Sequence, residues 1–380
     1  MSKQKDGKKV LMILSNPFLV DPRVHKEAKA LVDAGNEVSI IVWDRHRDYE
    51  PESIIDGIRV IRIHNEGLMK SLPNDLFRNP IWWRMAYKKG LELYRNGFDF
   101  EVVHCHDLDT LLSGVWLKKK VGCKLVYDAH EIFGFMIKDT APKWLSKASL
   151  KMERLLLKRI DHLITIDEPF KNYFASIADK PITIVMNCKD LEYEEYEPPT
   201  SEIFTLVYIG LMVRDRFFPD IIDLVGGMEG VKLIIAGKKE GIFEEVKNHS
   251  EKYDNVEFLG TIPSKDILPL TRMANANFIL IDPNTGQHKM NIYNKQFEAM
   301  VCGRPIIVTK GTYAAKMTEE LKCGLTVDYN KESVRDAIIK LRDDPKLCEE
   351  LGRNAFRAAK EKYNWEMEKK KLLKVYEEII

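Results

Sequence analysis

The sequence lacks a strong net charge, paired cysteines and long hydrophobic runs. Its formal net charge at pH 7 is +1, which gives no general affinity for nucleic acid. Its six cysteines show no CxxC spacing, so we expect reduced, mostly buried thiols rather than a disulfide framework or a metal site. No apolar run approaches the roughly 20 residues of a membrane-spanning helix, and residues 1–9 lack the apolar core of a signal peptide. We therefore expect a cytoplasmic protein, which could touch a membrane only peripherally at its inner face.

Glycine is absent from the loop that follows the first predicted strand. This loop reads SNPFLVDPRV, whereas a dinucleotide-binding GxGxxG turn needs glycines where the backbone approaches the pyrophosphate. The chain also has no GxxxxGK[ST] phosphate-binding loop. These absences argue against NAD, FAD and P-loop nucleotides, and we expect no cofactor.

Short apolar runs alternate with amphipathic stretches, a pattern that indicates parallel sheets covered on both faces by helices. A chain of 380 residues is long enough for two such domains. We predict a first domain over 1–190, with a helix that starts at Asp21-Pro22. Its predicted strands are Val10–Leu14, Val38–Trp43, Val60–Ile63, Val102–Cys105, Lys124–Tyr127 and His162–Ile166.

Residues 191–200, within an acidic stretch that contains prolines, are predicted to link the domains. The α/β pattern restarts in a second domain over 201–363, and a last helix occupies 364–380. The predicted strands of the second domain are Leu206–Gly210, Lys232–Gly237, Val256–Gly260, Phe278–Asp282 and Ile306–Thr309. Its clearest predicted helices are Pro219–Val225 and Lys295–Cys302.

The most informative stretch is NIYNKQFEAMVCGRPIIVT, residues 291–309. The predicted helix Lys295–Cys302 ends at Gly303 and starts at the carboxyl edge of the second sheet, where doubly wound domains bind ligands. Its free N–H groups and the charge of Lys295 suit a phosphate, and Glu298 could accept hydrogen bonds from ribose hydroxyls. On spacing alone, a surface helix with an ordinary Lys–Glu pair is the simpler explanation.

The stretch NKQFEAMVCGRPII resembles the nucleotide-sugar signature of glycosyltransferase family 4. The resemblance extends along nearly the whole chain, in the stretches DPRVHKEAKALVDAGNEVSIIV, DFEVVHCHDLDTLL, KLVYDAHEIF, ERLLLKRIDHLITIDE, LVYIGLMVRDR and GRNAFRAAKEKYNWEMEKKKLLKVYEEI. It implies the GT-B fold, two Rossmann-like doubly wound parallel-sheet domains that face a central cleft, with a C-terminal helix crossing back to the first domain. It also implies transfer of a sugar from a UDP-, GDP- or ADP-sugar to an acceptor hydroxyl, with retention of anomeric configuration.

The resemblance assigns roles to individual residues. It implies that Glu298 holds the donor ribose and that His130 lines the donor sugar site as the candidate catalytic residue. The remaining implied donor-binding residues are basic groups for the pyrophosphate and positions where the backbone approaches the donor: Arg214, Arg216, Asn294, Lys295, Gly311 and Thr312. The chain departs from the family at Met290, where many members have a second glutamate, and at Asn16-Pro17, where a glycine is usual.

The string Asp107-Leu108-Asp109 spells DxD, which holds a divalent metal in another transferase fold. Here it lies at a strand–helix junction, where we expect Asp107 to cap the helix. We expect His104 and His106 to point in opposite directions at the strand end. The sequence therefore predicts no metal site.

A basic amphipathic helix is predicted within residues 141–160. Its basic residues, Lys143, Lys147, Lys151, Arg154 and Lys158, lie along one face and its apolar residues along another. Such a helix can dock on anionic lipid, although one packed on its own domain shows the same pattern. The acceptor therefore stays open between a saccharide and a lipid-linked molecule, and a nucleotide-sugar 2-epimerase or a catalytically silent nucleotide-sugar binder stays an alternative function.

Overall fold

A computed structural model describes residues 7–72, 75–138, 141–284 and 289–379, except the side chains of Leu68 and Met69. The chain divides into two compact α/β units. The first unit comprises Met1–Met186 with Glu368–Ile380, and the second comprises Asn187–Met367.

The first unit contains an eight-stranded sheet in the order β3-β4-β2-β1-β5-β6-β7-β8. The strands are β1 (Lys9–Leu14), β2 (Glu37–Asp44), β3 (Glu52–Ile55), β4 (Ile58–His64), β5 (Val102–His106), β6 (Lys124–Ala129), β7 (His162–Thr165) and β8 (Ile182–Ile184). All pairs are parallel except β3 with β4. The strand order reverses at β1, whose neighbours are β2 and β5, so the carboxyl ends of β1 and β5 mark the ligand-binding edge of a doubly wound sheet.

Among the described residues of this unit, seven helices lie between the strands. They are α1 (Pro22–Asp33), α2 (Glu66–Ser71), α3 (Asp75–Arg95), α4 (Leu108–Val121), α5 (Phe133–Met136), α6 (Lys143–Leu157) and α7 (Glu168–Ile177). The predicted start of α1 is confirmed, because the Asp21 side chain accepts a hydrogen bond from the Val24 amide at 3.2 Å and Pro22 is the first helical residue.

The second unit contains a six-stranded, all-parallel sheet in the order β11-β10-β9-β12-β13-β14. Its strands are β9 (Phe204–Ile209), β10 (Val231–Ala236), β11 (Val256–Gly260), β12 (Ala276–Ile279), β13 (Ile306–Thr309) and β14 (Gly324–Val327). In order of appearance the strands run 3-2-1-4-5-6, the order of a dinucleotide-binding Rossmann sheet. The strand order reverses between β9 and β12.

The helices of the second unit cover this sheet. They are α8 (Asp220–Gly226), α9 (Phe243–Ser250), α10 (Ile267–Met273), α11 (Asn294–Val301), α12 (Tyr313–Leu321), α13 (Lys331–Asp343) and α14 (Pro345–Glu361). Two short 3₁₀ turns occupy Arg214–Arg216 and Ser264–Asp266. All the strands predicted from sequence are present, with β12 ending three residues earlier than expected.

The segment predicted as a linker, 191–200, lies within the second unit, and the chain passes between units at residues 186 and 187. The aromatic rings of the segment 191–200 pack on arginines of the second unit. The guanidinium of Arg272 lies 3.6 Å from the Tyr193 ring centroid, and that of Arg353 lies 4.4 Å from the Tyr196 ring centroid. These contacts pack the segment 191–200 against the second unit. Its acidic, proline-containing composition alone predicts an unpacked linker.

The last helix, α15 (Trp365–Ile379), belongs to the first unit from Glu368 onward. The Met186 amide donates to the Glu368 carboxylate at 2.8 Å, and the Tyr376 hydroxyl lies 2.6 Å from Nδ1 of His104. These hydrogen bonds join the C-terminal helix to the buried strand β5 and to the segment that follows β8.

Candidate functional site

The start of helix α11 lies beside the carboxyl end of β9 in the second unit. The Nζ atom of Lys295 is 4.4 Å from the ring centroid of Tyr208, which belongs to β9. No described side chain caps the helix at its N-cap residue, Tyr293, so the N–H groups of Asn294 and Lys295 and their partial positive charge stay available. The geometry therefore creates an anion-attracting helix terminus at the point where strand order reverses.

Lys295 is a buried cation that forms no ion pair with any described residue. The residue is 8% exposed, and its amine occupies the space over Gly210, the residue that follows β9. A Cβ at Gly210 would overlap with this amine, and the φ angle of Gly210 is 153°. A buried charge normally has an oppositely charged partner. The amine of Lys295 can therefore pair with an anion of a bound ligand.

Arg216 shares a small cavity with Lys295, Tyr208 and Tyr293. Its guanidinium carbon is 5.7 Å from the Tyr293 ring centroid, and its buried Nε atom has no hydrogen-bond partner among the described residues. Arg214 differs, because its side chain is exposed and pairs with Glu245 on α9 at 2.7 Å. Of the two predicted arginines, Arg216 is the one that the structure brings to Lys295.

Glu298 is buried one turn into α11 and pairs with Lys189. The Glu298 carboxylate is 2.9 Å from Nζ of Lys189, whose side chain is more exposed. Asn294 accepts a hydrogen bond from the side chain of Asn187 at 2.7 Å. Residues 187–189 therefore hold two of the predicted donor-binding side chains within the second unit.

Gly311 and Thr312 follow β13. Gly311 has a φ angle of 77°, a conformation that favours glycine. The Thr312 hydroxyl accepts from the Ala315 amide at 3.1 Å and donates to the Thr309 carbonyl at 2.9 Å, so it caps helix α12. The side chain of Thr312 therefore serves the fold, which leaves only its backbone for a ligand.

His130 lies at the carboxyl edge of the first sheet, directly after β6. Its Nε2 atom is 2.9 Å from Asp128, and its Nδ1 atom is 3.3 Å from Asp107. Burial alone lowers the pKa of His130, but the carboxylates of Asp107 and Asp128 outweigh it and raise this pKa well above its usual value. Both ring nitrogens are thus engaged as donors in an imidazolium, so His130 acts on a ligand only if one of these contacts opens.

Asp128 is fully buried and is surrounded by basic side chains. Arg23 on α1 donates to it at 3.1 Å, and the rings of His104 and His106 approach it to 3.8 and 3.4 Å. Burial acts to raise the pKa of Asp128, but Arg23 and His130 hold it well below its usual range. Burial also lowers the pKa of His104 to about 4, so this ring is neutral at pH 7.

The expectation that His104 and His106 point in opposite directions is wrong. Their ring centroids are 4.3 Å apart and the rings are stacked, because residues two apart on a strand project from the same face. The expected helix cap at Asp107 is also wrong. Asp107 has a φ angle of 61°, and its side chain accepts from the His130 amide at 3.0 Å instead of from the start of α4.

One group of described residues has the composition of a metal site. Ligand atoms of Glu27, His104, His106 and Asp128 all lie within 4.8 Å of one another. However, Nη2 of Arg23 lies 3.0 Å from Glu27 and 3.1 Å from Asp128, so a guanidinium already supplies positive charge to the carboxylates. Asp109 of the DxD string is buried, and burial together with Asp107 raises its pKa to about 7. The residues present therefore fit a neutralised ionic network better than a divalent cation.

Two family models match the chain in succession. The model described as Glycosyltransferase Family 4 matches residues 22–193, and the one described as Glycosyl transferases group 1 matches residues 204–344. The chain belongs to the family 4 glycosyltransferases. It is 22% identical over 348 residues to an uncharacterized glycosyltransferase of Methanocaldococcus jannaschii, a match that covers 86% of each chain.

Solved glycosyltransferase structures share this fold. Sucrose-phosphate synthase from Thermosynechococcus elongatus is similar with a TM-score of 0.78 and 16% identity, over 98% of this chain and 99% of that one. Anabaena HepE in complex with UDP-glucose is similar with a TM-score of 0.70 and 15% identity, over 97% of this chain and 99% of that one. This chain therefore has the GT-B fold.

The structure separates the predicted site residues of this glycosyltransferase into two groups. Lys295, Arg216 and Glu298 gather at the start of α11, whereas His130 belongs to the ionic network of the first unit. Sequence reasoning missed Lys189, the half-buried partner of Glu298, because nothing in the local pattern distinguishes it from the other lysines of the chain. It also missed Arg23, although its place in the first turn of α1, at the carboxyl edge of the sheet, is a usable signal.

None of the helices in the described parts of the chain combines the length and hydropathy that crossing a bilayer requires.

Proposed function

We propose that this glycosyltransferase moves a sugar from a nucleotide-sugar donor to an acceptor hydroxyl with retention of anomeric configuration and without a metal ion. The observation that carries the proposal is the amine of Lys295, a buried cation with no carboxylate partner among the described residues, beside an uncapped helix start. A diphosphate matches this arrangement in charge and in hydrogen-bonding capacity.

The diphosphate is assigned to the start of α11, between Lys295 and Arg216, and the ribose to Glu298. When the bond between sugar and diphosphate breaks, negative charge grows on the leaving phosphate. Two cations and the helix N–H groups stabilise that charge more strongly in the transition state than in the ground state, which lowers the barrier. Because these groups supply the positive charge, the reaction needs no metal to neutralise the leaving group.

The ribose contact requires Glu298 to exchange its partner. Glu298 is paired with Lys189 at 2.9 Å, and a ribose would offer two hydroxyl donors to the same carboxylate. Hydrogen bonds to charged groups contribute about 1.5–3 kcal/mol each in net terms. The similarity to HepE, which was solved with UDP-glucose, makes a UDP-sugar the first donor to test.

The experiment offers UDP-, GDP- and ADP-sugars to the purified protein and measures release of nucleotide and of sugar, with the anomer of any transfer product assigned by NMR. Slow donor hydrolysis without acceptor, lowered at least tenfold in Lys295→Met, is the expected result. The matched control is Lys346→Met, an exposed lysine of the same unit, which should behave like wild type. A released sugar epimerised at C2 would indicate an epimerase, and nucleotide binding without any turnover would indicate a silent binder.

A further inference from the structure

An apolar groove lies in the first unit between the start of α3, the short helix α5 and the first half of α6. Its volume is about 680 Å³, within the range of pockets that bind small molecules. Its walls include Trp83, Phe133, Met136, Trp144 and Met152. The groove is therefore large enough, and apolar enough, for a hydrocarbon chain.

Helix α6 has apolar side chains on both its buried and its exposed face. Its buried face contains Leu156 and Leu157 together with the polar residues Ser146, Ser149 and Glu153. On the other side of the helix, Trp144 is 60% exposed and Leu155 is 54% exposed. A surface helix normally buries its apolar stripe against the core. Apolar side chains that form a contiguous exposed patch in a soluble domain mark a binding surface. The exposed stripe therefore needs an explanation other than packing within the unit.

A basic stripe runs next to the apolar stripe on the same helix. It consists of exposed residues at helical spacing, none of which forms an ion pair with a described residue: Lys147, Lys151, Arg154 and Lys158. At 100° per residue, Trp144, Ala148 and Leu155 lie on one side of this stripe, about a quarter-turn around the helix. The exposed side of α6 thus places apolar side chains that can bind a hydrocarbon next to basic side chains that can bind an anion.

The groove opens next to the carboxyl edge of the first sheet. Phe133 is three residues beyond His130, and the indole N–H of Trp83 donates to the Asp109 carbonyl at 2.7 Å, in the first turn of α4. Asp107 and His130 contact each other at the same edge. A molecule whose chain fills the groove would therefore carry its polar end toward this ionic network.

We propose that the groove binds the hydrocarbon chain of the acceptor, a lipid that carries both a phosphate and a hydroxyl, with the phosphate on the basic stripe of α6 and the hydroxyl toward the carboxyl edge of the first sheet. This inference rests on the proposed glycosyl transfer and names the acceptor class. A free saccharide has no apolar part to fill the groove. An apolar peptide would leave the basic stripe without a counter-charge.

The test uses alkyl phosphates below their micelle-forming concentrations. Binding of dodecyl phosphate and octyl phosphate is measured by tryptophan fluorescence and by calorimetry. Burial of each methylene contributes a factor of up to about fourfold, so the longer chain should bind at least tenfold more tightly. Because the phosphate contact is electrostatic, affinity should fall as salt is raised.

Variants separate the two parts of the surface. Trp144→Ser should weaken dodecyl phosphate binding at least fivefold, whereas Ile203→Ser, at an exposed apolar residue of the second unit, should not. Lys147→Glu with Lys151→Glu should weaken it at least tenfold, whereas Lys119→Glu with Lys120→Glu, on exposed residues of α4, should not. Thermal melts confirm that each variant is folded.

Three results would overturn the inference. The first is equal affinity of the protein for dodecyl phosphate and for dodecyl maltoside. The second is binding to phosphatidylglycerol vesicles without binding of monomeric dodecyl phosphate, and the third is an affinity for alkyl phosphates that does not depend on chain length. UDP binding and UDP-sugar hydrolysis are measured on the same samples. If both stay intact while alkyl phosphates fail to bind, the acceptor class is wrong and the proposed glycosyl transfer stands.

Discussion

Glu153 is a buried carboxyl whose replacement should change how stability depends on pH. It lies on the inner face of α6, accepts a hydrogen bond from the Tyr127 hydroxyl at 2.7 Å, and has no described hydrogen-bond partner for its second oxygen. Burial raises its pKa to about 7 from an ordinary value of 4.5. Between those values the unfolded chain loses the proton while the native protein keeps it. Stability therefore falls as pH rises from about 4.5 to 7.

Glu153→Gln removes this titration and keeps an acceptor for Tyr127. A difference of about 2.5 pKa units corresponds to about 3 kcal/mol, which wild type should lose between pH 5 and pH 8 and the variant should retain. Urea unfolding followed by tryptophan fluorescence at pH 5, 6, 7 and 8 measures the difference. The exposed Glu350→Gln is the matched control and should follow wild type. Parallel pH profiles for Glu153→Gln and wild type would refute the reasoning.

Two further predictions concern the ionic network and the metal. Asp128→Asn should lower the free energy of unfolding by about 3–5 kcal/mol, because Arg23 and His130 lose their buried counter-charge. Urea titration of the variant against wild type measures this loss, and a loss below about 1 kcal/mol would contradict the prediction. EDTA should leave sugar transfer unchanged. Activity lost on chelation and restored by Mn²⁺ or Mg²⁺ would mean that the cluster around Asp128, or the DxD residues Asp107 and Asp109, binds a catalytic metal.

The central strands of both sheets could be predicted because parallel strands covered on both faces are continuous apolar runs. Val10–Ile13 of β1 are fully buried, and the strands on either side of β1 show the same signal. The edge strands β3, β8 and β14 escaped prediction because they span only 4, 3 and 4 residues, whereas the edge strand β11 was predicted over Val256–Gly260. β3 alternates exposed and half-buried residues over only four positions, and β14 starts at Gly324, where a Cβ would overlap with the Ile306 carbonyl oxygen.

The residues of the candidate site that could be predicted lie close together in the sequence, whereas the contacts that could not be predicted join distant residues. Lys295 and Glu298 are three residues apart on one helix, so spacing and resemblance together could indicate them. The ionic network could not be predicted, because its contacts join residues far apart in the chain. Arg23 meets Asp128 across 105 positions, and His104 meets Tyr376 across 272. The exposure of Trp144 and Leu155 on α6 could not be predicted either, since periodicity shows that a helix has two faces but does not show which apolar side chains stay uncovered.

The most direct test of the account is nucleotide affinity in Glu298→Ala. Calorimetry first identifies which of UDP, GDP and ADP binds wild type most tightly, and the same titration is then run on the variant and on Glu350→Ala. Loss of the ribose acceptor should weaken binding by about 2 kcal/mol, roughly 30-fold, while Glu350→Ala and the melting temperature stay unchanged. Wild-type affinity in Glu298→Ala would contradict the assignment of the donor nucleotide to helix α11.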